Sequence, residues 1–225
     1  MSEGVQERSI AATVHGTYLL QAPASGGAPA ALVVGFHGYG ERAADHLAAL
    51  QRIPGADRWL LCAVQALHSF YKKTGEVVAG WMTKHDRDHA IADNVAYVVS
   101  VVAAVRAEFP AVGPLAYVGF SQGVAMAYRA AAGAGHRAAA LVALAGDVPP
   151  EVAAREDLAD VLPSVLIGAG QADGWYGAAQ LERDVALLRG KGVEVEGLLF
   201  DGGHEWAAEL LSRAGGFLAG HLSQP

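Results

Sequence analysis

The sequence is short of cysteine and of charge. Cys62 is the one cysteine in 225 residues, so no intramolecular disulfide can form. It lies within an apolar segment and is predicted to be a small buried side chain rather than a nucleophile. Charged residues make up 17% of the chain and hydrophobic residues 52%, which excludes a disordered chain and predicts a large core. A chain that folds without disulfides fits a reducing compartment, so we expect a cytoplasmic protein.

Basic residues are scarce as well. Lysine and arginine number 16 against 23 acidic residues, and the net charge is −7 at pH 7. The lysines form one adjacent pair, Lys72 and Lys73. Proteins that bind nucleic acid need a dense basic surface to neutralise phosphates. The composition therefore argues against nucleic acid as a partner.

Long hydrophobic runs are also missing. The longest apolar stretch, residues 95–105, is shorter than the ~20 residues that cross a bilayer as a helix. The first ten residues contain two glutamates and no apolar run, unlike a signal peptide. We therefore expect no stable insertion into a membrane.

Short apolar segments alternate with helix-length segments along most of the chain. Apolar runs without alternation are typical of parallel strands that are covered on both faces. The pattern predicts one α/β domain over residues 1–225, a doubly wound and mostly parallel sheet with helices on both faces. The predicted strands are residues 31–36, 59–64, 115–120, 138–145, 163–167 and 193–200, after antiparallel entry strands in 9–21 and a loop at 22–29. The predicted helices are residues 46–51, 90–109, 122–132, 176–189 and 205–218.

A G-x-S-x-G motif at residues 119–123 follows one predicted strand and opens a helix. With 28 glycines in the chain the string alone is weak evidence, but strand, turn and helix are the setting that a nucleophile elbow needs. Flanking glycines permit a tight turn that lifts the hydroxyl of Ser121 above the strand ends. The motif predicts Ser121 as a nucleophile. The simpler alternative is that Ser121 only caps the helix.

The candidate base is His204, which follows the last predicted strand and a pair of glycines. In hydrolases with this motif the order along the chain is serine, acid, histidine. His136 and His221 also follow the serine, but one precedes a strand and the other is near the chain end. His204 is therefore the predicted base.

Two aspartates compete as the acid that orients the histidine. Asp173 follows the strand before the histidine strand, and Asp147 follows the strand before that. Asp173 is preferred because its spacing leaves room for one helix and one strand before His204. Asp147 stays as the alternative, and a helix cap or a turn residue is the simpler role for either.

An acyl transfer also needs backbone N–H donors for the developing oxyanion. Gln122, the residue after the nucleophile, is the first predicted donor. The second is Tyr39, in the H-G-Y-G-E loop at residues 37–41, where two glycines let the backbone turn its amide inward. His37 of this loop is predicted to be structural.

The chain carries, in this order, F-H-G-Y-G at residues 36–40, G-F-S-Q-G at residues 119–123, Asp173 and G-H at residues 203–204. In these motifs it resembles the phospholipase/carboxylesterase family that includes the acyl-protein thioesterases. The resemblance covers residues 32–211. It implies an α/β-hydrolase fold without a large cap domain, no cofactor, and hydrolysis of small-molecule carboxylic esters, thioesters or lysophospholipids. The implied machinery consists of Ser121, Asp173 and His204, with the N–H groups of Tyr39 and Gln122 at the oxyanion.

The chain departs from this family's pattern at two places. Glu41 stands where the thioesterases usually carry aspartate, and Trp175 with Tyr176 stands where they carry valine and proline. The departures point to a less characterised bacterial branch of esterases. Trp81 resembles an aromatic residue beside the family's acyl site, and we expect Trp81, Trp175 and Tyr176 to line an open groove walled by the loop at residues 65–89.

Other interpretations follow from the same residues. The H-D-R-D-H run at residues 85–89 contains metal-ligand types, with His85 and His89 spaced to share a helix face, but we expect a solvated helix start and no metal.

A non-catalytic binder on a hydrolase scaffold is the alternative function from another class, and peptidase or lactonase chemistry could use the same three side chains, Ser121, Asp173 and His204. The oligomer is expected to be a monomer or a homodimer.

Overall fold

The computed structural model describes residues 5–23, 29–133 and 135–223 of the chain. These residues form nine strands and seven α-helices. The strands are β1 (Tyr18–Gln21), β2 (Leu32–Phe36), β3 (Leu60–Val64), β4 (His68–Tyr71), β5 (Val77–Gly80), β6 (Leu115–Phe120), β7 (Ala140–Leu144), β8 (Ser164–Gly170) and β9 (Val195–Phe200). The helices are α1 (Ala43–Leu50), α2 (Arg87–Glu108), α3 (Gln122–Gly133), α4 (Pro150–Ala153), α5 (Leu158–Val161), α6 (Ala178–Gly190) and α7 (Ala208–Leu222).

Seven strands form one sheet in the order β1-β3-β2-β6-β7-β8-β9. All neighbouring pairs are parallel except β1 and β3, whose register pairs Tyr18 with Val64. The predicted doubly wound, mostly parallel sheet is confirmed. That the whole chain is one domain stays a prediction.

The strands are apolar on both sides because helices cover both faces of the sheet. Leu32, Val34 and Phe36 of β2 belong to the core under α2, α3 and α6, whereas Val33 between them belongs to the core under α1 and α7. This alternation follows from the two-residue period of a strand. Burial of one leucine or valine side chain contributes about 1.5–3 kcal/mol, so the two cores supply the driving force for the layered fold.

Two regions differ from the sequence prediction. Residues 9–21 contain one strand, β1, rather than a pair, and it pairs with β3 at the edge of the sheet; most of the predicted loop at 22–29 lies outside the described residues. Within residues 65–89, predicted as a loop, β4 and β5 form an antiparallel hairpin. Its strands are too short to produce a clear alternating pattern, and Val77, Val78 and Ala79 read as an isolated apolar triplet.

No cap domain lies between β7 and β8, a stretch that the structure describes in full. It holds the two short helices α4 and α5, one more than predicted. The cleft above β6 and β7 is therefore bordered by loops and by the ends and faces of neighbouring helices, without a cap domain over it.

By length and composition, α2 could cross a membrane. It is the one helix among the described residues that meets both criteria. The apolar stretch noted in the sequence, residues 95–105, is only part of this helix, which has 22 residues. Val98, Val101, Val102 and Val105 of α2 are buried against the sheet. A core helix passes the same length test, so the absence of membrane insertion stays a prediction.

Candidate active site

The carboxyl ends of β2, β6, β7, β8 and β9 meet at one edge of the sheet, and the loops that follow them carry the predicted site residues. This is the edge at which open α/β sheets bind ligands.

Ser121 lies in a sharp turn between β6 and α3. Its φ of 53° is in the left-handed region, a strained conformation for a residue with a side chain. An ordinary helix cap adopts extended backbone, so this geometry differs from that of the simple cap. The Ser121 N–H donates to the carbonyl of Leu144 at 2.8 Å, which ties the turn to β7.

The flanking glycines of the motif are required by close backbone contacts. A Cβ on Gly123 would lie 2.0 Å from the carbonyl oxygen of Phe36, and one on Gly119 would lie 2.6 Å from the carbonyl oxygen of Gly123. Neither position can hold a side chain without movement of the main chain. The motif therefore fixes how closely α3 approaches β2.

His204 and Asp173 are joined by a hydrogen bond. The ring Nδ1 of His204 lies 2.8 Å from Oδ2 of Asp173, whose side chain is fully buried, and the ring packs on Phe120 at 5.0 Å between centroids. A carboxylate can only accept, so Nδ1 carries the proton and Nε2 is left as the acceptor. This tautomer is the one that a general base needs.

The other oxygen of Asp173 is held by the main chain. Oδ1 accepts hydrogen bonds from the N–H groups of Trp175 at 2.8 Å and Tyr176 at 3.1 Å. Burial alone would raise the pKa of Asp173, but these two hydrogen bonds and His204 outweigh it and hold the pKa below its usual value. Asp173 is therefore ionised and fixed in orientation.

Asp147, the alternative acid, lies elsewhere on the cleft wall. Among the described residues it makes no side-chain hydrogen bond to a histidine, and the residue is exposed. Its pKa is raised by desolvation and by the nearby charge of Asp184. The geometry thus favours Asp173 over Asp147 as the partner of His204.

Ser121 and His204 face a shared cleft of about 670 Å³. In the described part of the chain no direct hydrogen bond joins their side chains. Such contacts are often long in a ligand-free enzyme and shorten when substrate binds. Asp147, Trp175 and Tyr176 also line the cleft.

The loop after β2 passes directly beside Ser121. A Cβ on Gly38 would lie 3.3 Å from the Cβ of Ser121, and the Gly38 N–H is taken by Oε2 of Glu41 at 2.7 Å. The buried ring of His37 places Nδ1 2.7 Å from the Gly38 carbonyl, and its Nε2 accepts the N–H of Ala66. Burial lowers the pKa of His37, so the ring stays neutral and structural, as predicted.

The backbone N–H groups of the two predicted oxyanion donors differ from that of Gly38, which is bound to Glu41. Among the described residues, the N–H groups of Tyr39 and Gln122 have no acceptor within the protein. Both residues line the cleft next to Ser121. The Tyr39 ring is 61% exposed and stacks on Phe70 of β4 at 5.1 Å, so the hairpin supports this loop.

The side chain of Gln122 has a role that sequence reasoning missed. Its Oε1 accepts the N–H of Trp81 at 2.7 Å, and its Nε2 donates to the carbonyl of Met82 at 3.2 Å. These bonds fasten the segment after β5 to the first turn of α3. In the sequence, the glutamine of G-F-S-Q-G is the residue from which this contact could have been predicted.

Trp81 is not a substrate-binding side chain, and that prediction is wrong. The residue is fully buried, and its indole N–H donates to the His37 carbonyl at 2.8 Å. The aromatic ring packs edge-on against Phe36 in the core. The neighbour Met82 lines the cleft instead.

Trp175 and Tyr176 both border the cleft, in different ways. Trp175 is 82% exposed at the rim, whereas Tyr176 is only 1% exposed and donates its hydroxyl to Oδ2 of Asp184 at 3.0 Å. Tyr176 is thus a fixed part of the wall. Ala145, which sequence reasoning also missed, borders the cleft with a φ of 57°.

Asp184 is a buried carboxylate of α6 that joins two site loops. Its Oδ2 accepts the N–H of Val148 at 3.1 Å as well as the hydroxyl of Tyr176, and its Oδ1 accepts from Arg183. The spacing of Leu181, Asp184 and Leu188 places an acid on the apolar face of α6, which is the signal that could have identified it.

Asp184→Ala should lower the free energy of unfolding by about 1–3 kcal/mol, because the substitution leaves two buried donors without an acceptor. Urea unfolding measures this change. Glu182→Ala, on the exposed face of the same helix, is the control and should change stability by less than about 0.5 kcal/mol. Equal effects of the two substitutions would contradict the assigned contacts.

The predicted helix face shared by His85 and His89 is wrong, because α2 begins at Arg87 and His85 precedes it. Within the described residues, ligand-type atoms of Glu7, His85 and Asp86 lie within 4.8 Å of one another. All three residues are exposed, and exposed acidic groups commonly come together without an ion. These three residues line a different pocket from the one that holds Ser121.

No family model matches the chain, and no curated protein matches it. Solved structures do match. The esterase PE8 is 24% identical with a TM-score of 0.73, covering 92% of this chain and all of that one. A carboxylesterase of Bacillus cereus is 16% identical with a TM-score of 0.72, covering 92% and 94%. The acyl-protein thioesterase 2 of Zea mays is 20% identical with a TM-score of 0.69, covering 92% and 100%. The chain therefore has an α/β-hydrolase fold, similar to the folds of these esterases and this thioesterase.

Proposed function

We propose that this protein is a serine hydrolase that cleaves carboxylic esters through an acyl-enzyme on Ser121. The observation that carries the proposal is the fixed pair of Asp173 and His204, joined at 2.8 Å and facing the same cleft as a strained serine. A binding protein has no need of an ionised buried carboxylate that sets one tautomer of a histidine. The similarity to solved esterases supports the same reaction class.

The first half of the reaction forms the acyl-enzyme. Oγ of Ser121 attacks the carbonyl carbon while Nε2 of His204 takes the hydroxyl proton. The negative charge that develops on the carbonyl oxygen is stabilised by the N–H groups of Tyr39 and Gln122. The bond to the alcohol oxygen then breaks, and the leaving alcohol takes the proton from His204.

The second half restores the enzyme. Water attacks the acyl carbon and gives its proton to His204, and the bond to Oγ breaks as the proton returns to Ser121. Asp173 stays ionised throughout and stabilises the imidazolium that forms twice in the cycle. The products are a carboxylic acid and an alcohol, and no cofactor takes part in the scheme.

Labelling with a fluorophosphonate probe tests the proposal. The activated hydroxyl should displace fluoride and form a covalent adduct, which intact-mass spectrometry detects and peptide mapping should place on Ser121. Prior denaturation should abolish the reaction, since an unfolded serine is not activated. A folded protein that fails to react would be a binder on a hydrolase scaffold. Matched ester, thioester and amide substrates then rank the chemistries, and preferred cleavage of amides would replace esterase by peptidase activity.

A further inference from the structure

The cleft extends from Ser121 along one face of α3. Ser121, Ala125 and Arg129 all line it, at the spacing of successive helical turns. Arg129 is seven positions beyond Gln122, the first residue of α3, and a rise of 1.5 Å per residue puts it about 10 Å along the helix axis from the turn that holds Ser121. The walls between the two ends are mostly apolar and are formed by Met82, Ala125, Pro149 and Pro150.

Arg129 is an unusual side chain for an apolar cleft, because it is charged and only 4% exposed. Its Nε and Nη2 bind a single oxygen of Glu151, Oε1, at 2.6 and 2.5 Å. Its Nη1 has only the sulfur of Met82, at 3.5 Å, and a thioether is a weak acceptor. Arg129 therefore keeps donor capacity that the described residues do not satisfy well.

A second arginine lies at the same end. Arg87 lines the cleft and places Nη2 3.2 Å from Oε2 of Glu151. Two guanidinium groups thus share one carboxylate, which leaves an excess of one positive charge. Asp88, 4.0 Å from Arg87, is fully exposed and its charge is screened by solvent.

Asp147 is the one acidic residue among the described residues that line the cleft. Asp147 follows β7 and is exposed, so solvent screens its charge, and desolvation and the charge of Asp184 raise its pKa. Its carboxylate makes no hydrogen bond to either arginine in the described chain. The cationic end formed by Arg87 and Arg129 is therefore not closed by a salt bridge from the opposite wall.

We propose that Arg87 and Arg129 bind an acidic group of the substrate, a carboxylate or a phosphate, about 10 Å from the scissile carbonyl. The inference rests on the proposed esterase function and names the substrate class. Guanidinium groups bind such oxyanions with paired, charge-assisted hydrogen bonds, and the low exposure of Arg129 keeps its attraction from being screened, whereas Arg87 is partly exposed. The apolar walls fit the hydrocarbon segment between the ester and the acidic group.

Kinetics with matched ester pairs test the proposal. One arm compares monoesters of dicarboxylic acids, from succinate to sebacate, with neutral fatty esters of equal length and the same alcohol. The other arm compares esters whose alcohol carries a phosphate with the corresponding neutral esters. At low salt the acidic substrate should have a kcat/KM about tenfold higher in at least one arm, the worth of one charge-assisted hydrogen bond. The arm that responds tells which side of the ester points toward the arginines.

Charge variants then assign the preference to these residues. Arg87→Gln and Arg129→Gln should each lower the ratio of acidic to neutral kcat/KM about tenfold, and Glu151→Gln should raise it, because it frees both guanidinium groups. A merely structural salt bridge would not give opposite changes. Arg106→Gln, at the far end of α2, is the matched control and should leave the ratio unchanged. If Arg129→Gln does not fold, the partly exposed Arg87 and the Glu151 variant carry the test.

The outcomes separate the two proposals. Hydrolysis of neutral esters with no preference for acidic ones would overturn the anion site and leave the esterase function in place. The anion site would also be overturned if Glu151→Gln lowers the preference for acidic esters, or if none of the variants changes that preference. Failure to hydrolyse any ester in either arm would overturn both.

Discussion

Ser121→Ala should lower kcat for ester hydrolysis by a factor on the order of 10⁴ or more, because no other group in the cleft can replace the attacking hydroxyl. Hydrolysis of a chromogenic short-chain ester measures the loss. Ser100→Ala, on the exposed side of α2, is the matched control and should retain full activity. Residual turnover of a few per cent in clean Ser121→Ala protein would refute the nucleophile.

The same variant separates catalysis from helix capping. A serine that only caps a helix would cost about 1 kcal/mol of stability on replacement by alanine, with no direct effect on chemistry. Ser121 has the backbone of a strained turn rather than of a cap, with a φ of 53°. We therefore expect urea unfolding of Ser121→Ala to resemble that of the unmodified protein while activity is lost.

Asp173→Asn should lower kcat by a factor on the order of 10⁴, whereas Asp147→Asn should lower it by less than about tenfold. An amide at 173 can donate to Nδ1 of His204, which would favour the wrong tautomer and leave the imidazolium without a counter-charge. Both variants make the same chemical change beside the same cleft, so each controls for the other. The reverse ranking in steady-state kinetics would assign the acid to Asp147.

The pH dependence of stability gives a second measurement on Asp173→Asn. Folding lowers the pKa of Asp173, so its ionised form stabilises the fold at pH values above the pKa of the unfolded chain. That contribution is lost as the pH falls through the lower folded value. Asparagine does not titrate, so unfolding of Asp173→Asn should depend less steeply on pH in the acid range. An unchanged acid limb would contradict the assigned hydrogen bonds.

The sequence predicted much of the sheet because apolar runs and helical periodicity are local signals. Leu115 to Phe120 of β6 was predicted to the residue, and β2 and β3 within one residue at one end. The hairpin of β4 and β5 was missed because each strand has only four residues, and their pairing with each other depends on the register across a turn. A pair of entry strands was predicted where the structure has one, for a similar reason. The partner of β1 is β3, forty or more positions away along the chain, so no local pattern indicates the pairing.

The sequence by itself determined the order of the parallel strands and of the longer helices between them, the turn that strains Ser121 and the glycines that the turn requires, because these depend on neighbouring residues. Only the tertiary structure decided which aspartate meets His204, that Trp81 is buried while Met82 reaches the cleft, and that Arg87 and Arg129 share Glu151. Each of these contacts joins side chains from different loops or helices. Their directions depend on how the helices pack on the sheet, and no local pattern in the sequence encodes that arrangement.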